Sequence, residues 1–344
     1  VKKILVIRFS SIGDLVLTTP VIRCLHRQWG AEVHLLTKPA FAGLMRPNPY
    51  LARIHTLDAD QGRLIATLRN EGYDLVVDLH KNLRSLRFRM ALGRPAIGFD
   101  KLNAEKWLRV RLGWDILPPL HLVDRYFRAL RPLGVVYDGE GLDHFIPPEE
   151  EVDPARWLGP DRGAYVAVAL GAAHATKQIP EDKLREILAG LPLPALLIGG
   201  PAEQALGASL AALSGGPVRI NLAGALTLHQ SASVLRQAAA VLSPDTGMMH
   251  IAAALRRPLV SVWGNTIPAF GMYPFYPEGQ GREQRFEVRG LACRPCSKLG
   301  APVCPRGHFR CMRDQPAAAI AGSLAQIAIP EPGELRQMEP GAGL

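Results

Sequence analysis

The sequence has no run of about 18 uninterrupted apolar residues, so a membrane-spanning helix is not expected. Cysteine is scarce, five residues in 344, which excludes a small disulfide-stapled scaffold. The loop after the first apolar run contains Gly13 alone, where a dinucleotide fingerprint needs three glycines, so a nicotinamide dehydrogenase is disfavoured. No internal repeat of solenoid or propeller length occurs. Aromatic residues make up only 6%, and no helix-turn-helix, zinc-finger or base-stacking signature accompanies the net charge of +9. No nucleic acid is therefore expected as partner. The opening VKKILVIRFSS reads as a strand rather than a secretion signal, and a cytoplasmic location is expected.

What is present is an ordinary globular composition, 48% hydrophobic and 21% charged, in a chain long enough for two domains. Short apolar runs alternate with longer amphipathic ones: Ile4–Phe9 then Leu15–Trp29, Val33–Thr37 then Ala40–Met45, Ile54–Leu57 then Gly62–Glu71, Leu75–Leu79 then Leu83–Leu92. Continuous apolar strands imply sheets covered on both faces, so the fold class is α/β with parallel, doubly wound sheets. Between about Tyr137 and Arg162 the text turns to Asp, Glu, Gly and Pro, which reads as a linker. The alternation then restarts at Tyr165–Leu170 and continues to Leu259–Trp263. Two Rossmann-like domains, 1–155 and 156–328, with a tail 329–344, are the expected organisation. Thr227 and Gln230 have capping-box spacing, and Pro180 followed by Glu181 and Asp182 reads as a first-turn proline with acids.

Ligands of open α/β sheets bind at the carboxyl ends of strands, so the strand-to-helix turns carry the candidates. The first turn is Arg8-Phe9-Ser10-Ser11-Ile12-Gly13-Asp14, where Asp14 faces the crevice or, with Ser11, forms a helix cap. The second is Ser243-Pro244-Asp245-Thr246-Gly247-Met248-Met249-His250. It sets a carboxylate, a hydroxyl and open backbone at a helix start, suited to phosphate and sugar oxygens, or simply to capping. In Ala175-Thr176-Lys177, Lys177 reads as an ammonium set against a diphosphate or as a solvated loop lysine. Glu203, after Gly199-Gly200-Pro201, reads as a ligand contact or a first-turn acid. Cys293, Cys296, Cys304, His308 and Cys311 offer enough ligands for a structural zinc, or pack as reduced thiols. Basic runs at Lys81–Arg89 and Lys106–Arg111 are a solvated face, or residues worth on the order of 1 kcal/mol each near an anionic leaflet.

Taken together, RFSSIGDLVLTTP, DLVVDLHKNLRS, the Ala175-Thr176-Lys177 loop, SPDTGMMHIAAALRRPLVSVWGNT and the C-x-P-C segment resemble, in order, the heptosyltransferases of glycosyltransferase family nine. The resemblance implies a GT-B fold, two Rossmann-like domains facing across a cleft, acceptor on the first and nucleotide-sugar on the second. It places the general base on Asp14 and a diphosphate contact on Lys177. Donor contacts fall on Thr176, Glu203, Asp245, Thr246, Gly247 and His250, and acceptor contacts on Ser10, Ser11, Gly13, Lys81 and Arg84. One departure is plain: relatives often show D-L-Q-G-N-x-R-S where this chain has Asp78-Leu79-His80-Lys81-Asn82-Leu83-Arg84-Ser85.

The activity implied is transfer of heptose from ADP-heptose to the lipopolysaccharide inner core, with inversion. The partners are that donor, a lipid-linked acidic glycan and the inner face of the inner membrane, held peripherally. No cofactor or catalytic metal is expected, since no D-x-D pair lies near either site. Two alternatives keep the same fold: a sugar-nucleotide 2-epimerase, whose phosphate segment reads D-S-G-G rather than D-T-G-M, and a non-catalytic GT-B binding protein.

Overall fold

A computed structural model describes residues 2–160 and 163–328; the expected tail 329–344 lies outside the described residues. The chain divides into two compact units. Among the described residues the first runs to Glu149 and adds Ala253–Leu255 and Pro268–Gly281; the second comprises Glu150–Ala252, Arg256–Ile267 and 282–328.

The first unit is built on β1 (Lys3–Ile7), β2 (Glu32–Thr37), β3 (Arg53–Thr56), β4 (Leu75–Asp78) and β5 (Ala96–Gly98), in the order β3-β2-β1-β4-β5. All of these pairs are parallel. Ile4, Leu5, Val6 and Ile7 are fully buried, as a strand covered on both faces requires. The second unit holds β6 (Val166–Ala169), β7 (Ala195–Ile198), β8 (Arg219–Asn221), β9 (Ala240–Pro244), β10 (Leu259–Trp263) and β11 (Glu283–Glu287), in the order β11-β10-β9-β6-β7-β8, again parallel throughout.

This topology fixes where a ligand belongs. In the first unit the chain moves outward from β1 to β3 and returns beside β1 as β4; in the second, β9 returns beside β6. The strand order reverses at each of these pairs, and the turns leaving them cannot lie on the same face of the sheet. A crevice opens there at the carboxyl ends. Ile7 pairs with Asp78 across the first switch point, and Val168 with Leu242 across the second.

Two sequence expectations need correction. The run Leu15–Trp29 is not one helix but two, Ile12–Val16 and Thr19–Trp29. Pro20, which has no N–H and whose ring would strike the preceding turn, breaks the run. The division between the two units, at Glu149 and Glu150, falls inside the acidic stretch read as a linker, and that stretch is held at both ends. Asp138 and Asp143 pair with the fully buried Arg23 at 2.8 and 2.5 Å. Farther on, Thr227 donates to Glu150 and Ser233 to Glu151, each at 2.6 Å. Asp138 and Asp143 thus neutralise a buried cation of the first unit, and Glu150 and Glu151 accept from hydroxyls of the second. The Thr227–Gln230 capping box forms, both bonds at 3.1 Å, whereas Pro180 stands at the N-cap rather than in the first turn.

Candidate functional site

Beyond β1, Ser11 caps the short helix that carries Asp14. Arg8, 7% exposed, is buried beneath this turn. Its Nε donates to the Ser10 carbonyl at 2.9 Å, Nη1 donates to the Leu79 carbonyl at the end of β4, and Nη2 pairs with Asp14 Oδ1. Asp14 Oδ2 accepts from the Ser11 N–H at 3.0 Å and the Ser11 hydroxyl at 2.9 Å. Both readings of Asp14 therefore hold together: one oxygen closes the cap, and the other meets Arg8. A carboxylate oxygen accepts two hydrogen bonds. Among the described residues Oδ1 has Arg8 as its one partner, which leaves an acceptor position on a side chain still 18% exposed. Burial pushes the Asp14 carboxyl upward, but the Arg8 charge and the Ser11 donors outweigh it and hold the group below the ordinary carboxylate value.

Beyond β4, the buried Asp78 shapes the neighbouring turn. It accepts from the N–H groups of His80 at 3.0 Å and Lys81 at 2.7 Å and from the Ser85 hydroxyl at 2.8 Å. Lys81 adopts a left-handed φ of 49° and donates its ammonium to the Phe99 carbonyl at 2.8 Å, so that charge is already engaged. Arg84 is exposed on the first turn of helix Leu83–Leu92. Ser10, Ser11 and Gly13 share the β1 turn with Asp14. His80, the departure noted in the sequence, packs on Phe9 with ring centroids 4.7 Å apart. Burial and the nearby Arg8 charge push it down to about 4, so it is neutral at physiological pH.

In the second unit, the turn after β6 ends in the helical turn Ala175–Lys177. Lys177 Nζ lies 2.7 Å from Asp245 Oδ2, which also accepts from the Thr266 hydroxyl at 2.7 Å. Asp245 follows β9, so this contact closes the second switch point. Thr246 and Gly247 are partly exposed at the start of helix Gly247–Ala254, while His250 is only 2% exposed. The expected ligand-facing position of His250 is thus an interior one. Thr176 is likewise turned inward: its hydroxyl donates to the Ala301 carbonyl at 3.0 Å and accepts from the Ala301 N–H at 2.8 Å, fastening the loop instead of presenting a free hydroxyl. Glu203 accepts from the Gly200 N–H at 2.8 Å. Its side chain lies over the ends of β6 and β7, where a Cβ on Gly171 or Gly199 would approach it to 2.9 Å.

The cysteine segment does not assemble as a zinc centre. Cys293 Sγ lies 3.7 Å from His308 Nε2, but Cys296 donates its thiol to the Cys293 carbonyl at 2.9 Å and Cys311 is buried. Among the described residues no three of the five bring ligand atoms within 4.8 Å of one another. The set that does is His34, His55 and Glu71 in the first unit. There the Tyr73 hydroxyl bridges both imidazoles at 2.9 and 3.0 Å, and Lys3 and Arg53 neutralise Glu71, forming a closed polar network. In Asp58-Ala59-Asp60, a D-x-D triplet after β3, Asp60 caps helix Gln61–Asn70 and accepts from the Arg63 N–H at 2.9 Å.

Sequence reasoning gave no role to Arg8 or Thr266. The one available signal was their place at strand ends beside the switch points.

The profile of glycosyltransferase family 9 (heptosyltransferase) matches residues 61–279. The lipopolysaccharide heptosyltransferase 1 of Pseudomonas aeruginosa is 28% identical over 349 aligned positions, covering 91% of this chain and 92% of that protein. The solved structure of the E. coli ADP-heptose lps heptosyltransferase II superposes with a TM-score of 0.70 at 20% identity, covering 95% of this chain and 98% of that one. E. coli heptosyltransferase WaaC with ADP gives 0.60 at 23% identity, over 82% and 93% of the two chains. The fold is that of these two-domain transferases, and the chain belongs to glycosyltransferase family 9, the heptosyltransferases.

Proposed function

We propose that this glycosyltransferase moves heptose from ADP-heptose to the inner core of lipopolysaccharide, with inversion and without a metal ion. The observation that carries the reading is the state of Asp14: ionised, fixed on three sides, and open at one acceptor position. A carboxylate held below its ordinary value takes a proton from a sugar hydroxyl only once the new bond has acidified that hydroxyl, so its transfer is late. Among the described residues no second carboxylate is paired with it as a nucleophile, which favours direct displacement. On the donor side the leaving diphosphate gains negative charge. Lys177, oriented by Asp245, supplies the counter-charge, aided by the open backbone at Thr246 and Gly247. The likeness to the E. coli ADP-heptose lps heptosyltransferase II supports ADP-heptose as donor, and the P. aeruginosa relative supports the acceptor class. The acceptor is lipid-linked, so the enzyme works as a peripheral protein at the cytoplasmic face of the inner membrane.

The deciding experiment is a transfer assay with purified ADP-heptose and defined lipid A–Kdo acceptors. Asp14→Asn is expected to lower kcat by about 10²- to 10⁴-fold, and EDTA to leave wild-type activity unchanged. Near-normal turnover by Asp14→Asn would overturn the mechanism. Conversion of the donor to a 2-epimer without acceptor would favour the epimerase instead.

A further inference from the structure

Helix Asn103–Leu112 has no buried residue at all. Two of its apolar residues, Trp107 and Leu112, are 56% and 52% exposed, and the chain then stays exposed through Trp114 and Ile116. The preceding helix, Leu83–Leu92, turns Ser85, Phe88 and Leu92 inward. Its outer stripe is Leu83, Leu86 and Met90, at 86%, 42% and 73% exposure. That spacing places all three on one helical face. Of the eleven large hydrophobic side chains exposed among the described residues, seven lie within 83–116. A tenth of the chain thus carries most of its exposed apolar surface, and single scattered residues would need no explanation.

The charge of the same stretch is equally uneven. No acid occurs between Asp78 and Asp100, while Lys81, Arg84, Arg87, Arg89 and Arg94 all do. Over residues 79–116 nine cations face three acids, which accounts for +6 of the whole chain's +9. Apolar side chains set among arginines, on helices too short and too charged to cross a bilayer, match the chemistry of a surface that lies in a membrane interface.

We infer that the segment 83–116 of the first unit docks on an anionic lipid bilayer, its apolar residues entering the headgroup boundary and its arginines meeting lipid phosphates. The inference builds on the lipid-linked acceptor of the proposed function and names the surface that would bring the enzyme to it. Protein association is the competing occupant; the excess of cations over acids in this stretch, where Arg89 alone among the arginines of 84–111 meets an acid, Asp78 at 3.8 Å, among the described residues, favours lipid phosphate over a second copy of this equally basic chain.

The test uses the full chain and sedimented vesicles that contain no glycan acceptor. Wild type is expected to bind phosphatidylglycerol-containing vesicles, to release them at high salt, and to ignore pure phosphatidylcholine. Neutralising one surface cation should weaken binding about fivefold, so Arg87→Glu/Arg109→Glu/Arg111→Glu should lose at least 100-fold. Trp107→Ser/Leu112→Ser/Trp114→Ser should lose at least tenfold with an unchanged melting temperature, since these side chains are exposed. Val136→Ser/Val303→Ser, exposed elsewhere, should bind like wild type. Equal binding to both lipids, or undiminished binding by both triple variants, would overturn the inference; so would a wild-type dimer in sedimentation that the apolar variant dissolves. Turnover of a soluble deacylated acceptor separates the two proposals. Vesicle binding without transfer removes the proposed function alone, and transfer without vesicle binding removes the docking surface alone.

Discussion

The two strand-end sites use the same motif with the charges exchanged. In the first unit the buried cation Arg8 holds the more exposed carboxylate of Asp14, side-chain exposures 8% and 18%. In the second, the buried carboxylate of Asp245 holds the more exposed ammonium of Lys177, 9% and 17%. In each case the inner partner sits at a switch point and makes further bonds to the scaffold: Arg8 to the carbonyls of Ser10 and Leu79, Asp245 to Thr266. The outer partner keeps some access to solvent. A buried ion pair adds little net stability because desolvation offsets the attraction. Its value here is in orientation: the anchor fixes the rotamer of the group that would meet a substrate, and the sign of the outer group suits the charge that develops there.

Removing the anchor of the first site is expected to produce the largest effect on this comparison. Arg8→Met leaves the Asp14 carboxylate buried without its counter-charge. Burial, already the strongest influence on it, then acts with only the Ser11 donors opposing, and its pKa rises. The acid limb of the kcat/KM profile should move to higher pH, with turnover at neutral pH falling about 10²-fold or more. In wild type the depressed pKa contributes stability that is present above the unfolded carboxyl value near 3.9 and is lost as pH falls through the folded value. Thermal melts from pH 6 down to pH 2 should therefore show an acid-side loss in wild type that is reduced in Arg8→Met, on a background of about 3 kcal/mol lower stability at neutral pH. A pH–rate profile with an unmoved acid limb would break the parallel between the two pairs.

The second site should respond more mildly, because Lys177 remains a cation without its anchor. Asp245→Asn is expected to raise the KM for the nucleotide-sugar about tenfold with a smaller fall in kcat, since an ammonium freed to rotate still finds a diphosphate. Lys177→Met should be the more damaging of the two and should depress kcat as well, because the counter-charge for the leaving group is then missing. Equal losses from Asp245→Asn and Lys177→Met, read from full Michaelis curves, would mean that Asp245 does more than orient its partner.

The sites were legible in the sequence to different depths. The continuous apolar strands Ile4–Ile7 and Leu75–Val77 carry their burial in their composition, and the turns that leave them are where ligands of such sheets bind. Asp14, Lys177 and Asp245 could therefore be placed on strand-end turns before any coordinates. Arg8 could not be assigned a role, because a strand-end arginine has the same local signature whether it is solvated or locked under a carboxylate. The inward turn of Thr176 also depends on a partner far away in sequence, Ala301. Polar composition hides structure in the same way: β11, EQRFE, with three charged residues of five, pairs in parallel with β10 at the sheet edge. Asp138 and Asp143 stand in the stretch that joins the two units, and nothing local to them shows that they serve Arg23. Apolar periodicity is a local property, whereas the use of a polar side chain is decided by what the fold brings beside it.

Thr176 tests how far the loop behind Lys177 shares in this orientation, with the smallest expected change in turnover. Its hydroxyl joins both polar groups of the Ala301 backbone, and on the other side a Cβ on Gly264 would come within 2.7 Å of the Thr176 carbonyl, so the loop is clasped from two directions. Thr176→Val keeps the shape and strands the Ala301 N–H, while the Ala301 carbonyl still accepts from the Thr176 N–H at 3.2 Å, at a cost of about 1–3 kcal/mol. For a unit of this size that lowers the melting temperature by roughly 2–4 °C per kcal/mol. Thr176→Ser should restore the wild-type value, and kcat should stay within about threefold in both variants because the Lys177–Asp245 contact supplies the orientation independently. A collapse of kcat in Thr176→Val with a normal melting temperature would instead assign the hydroxyl to the substrate.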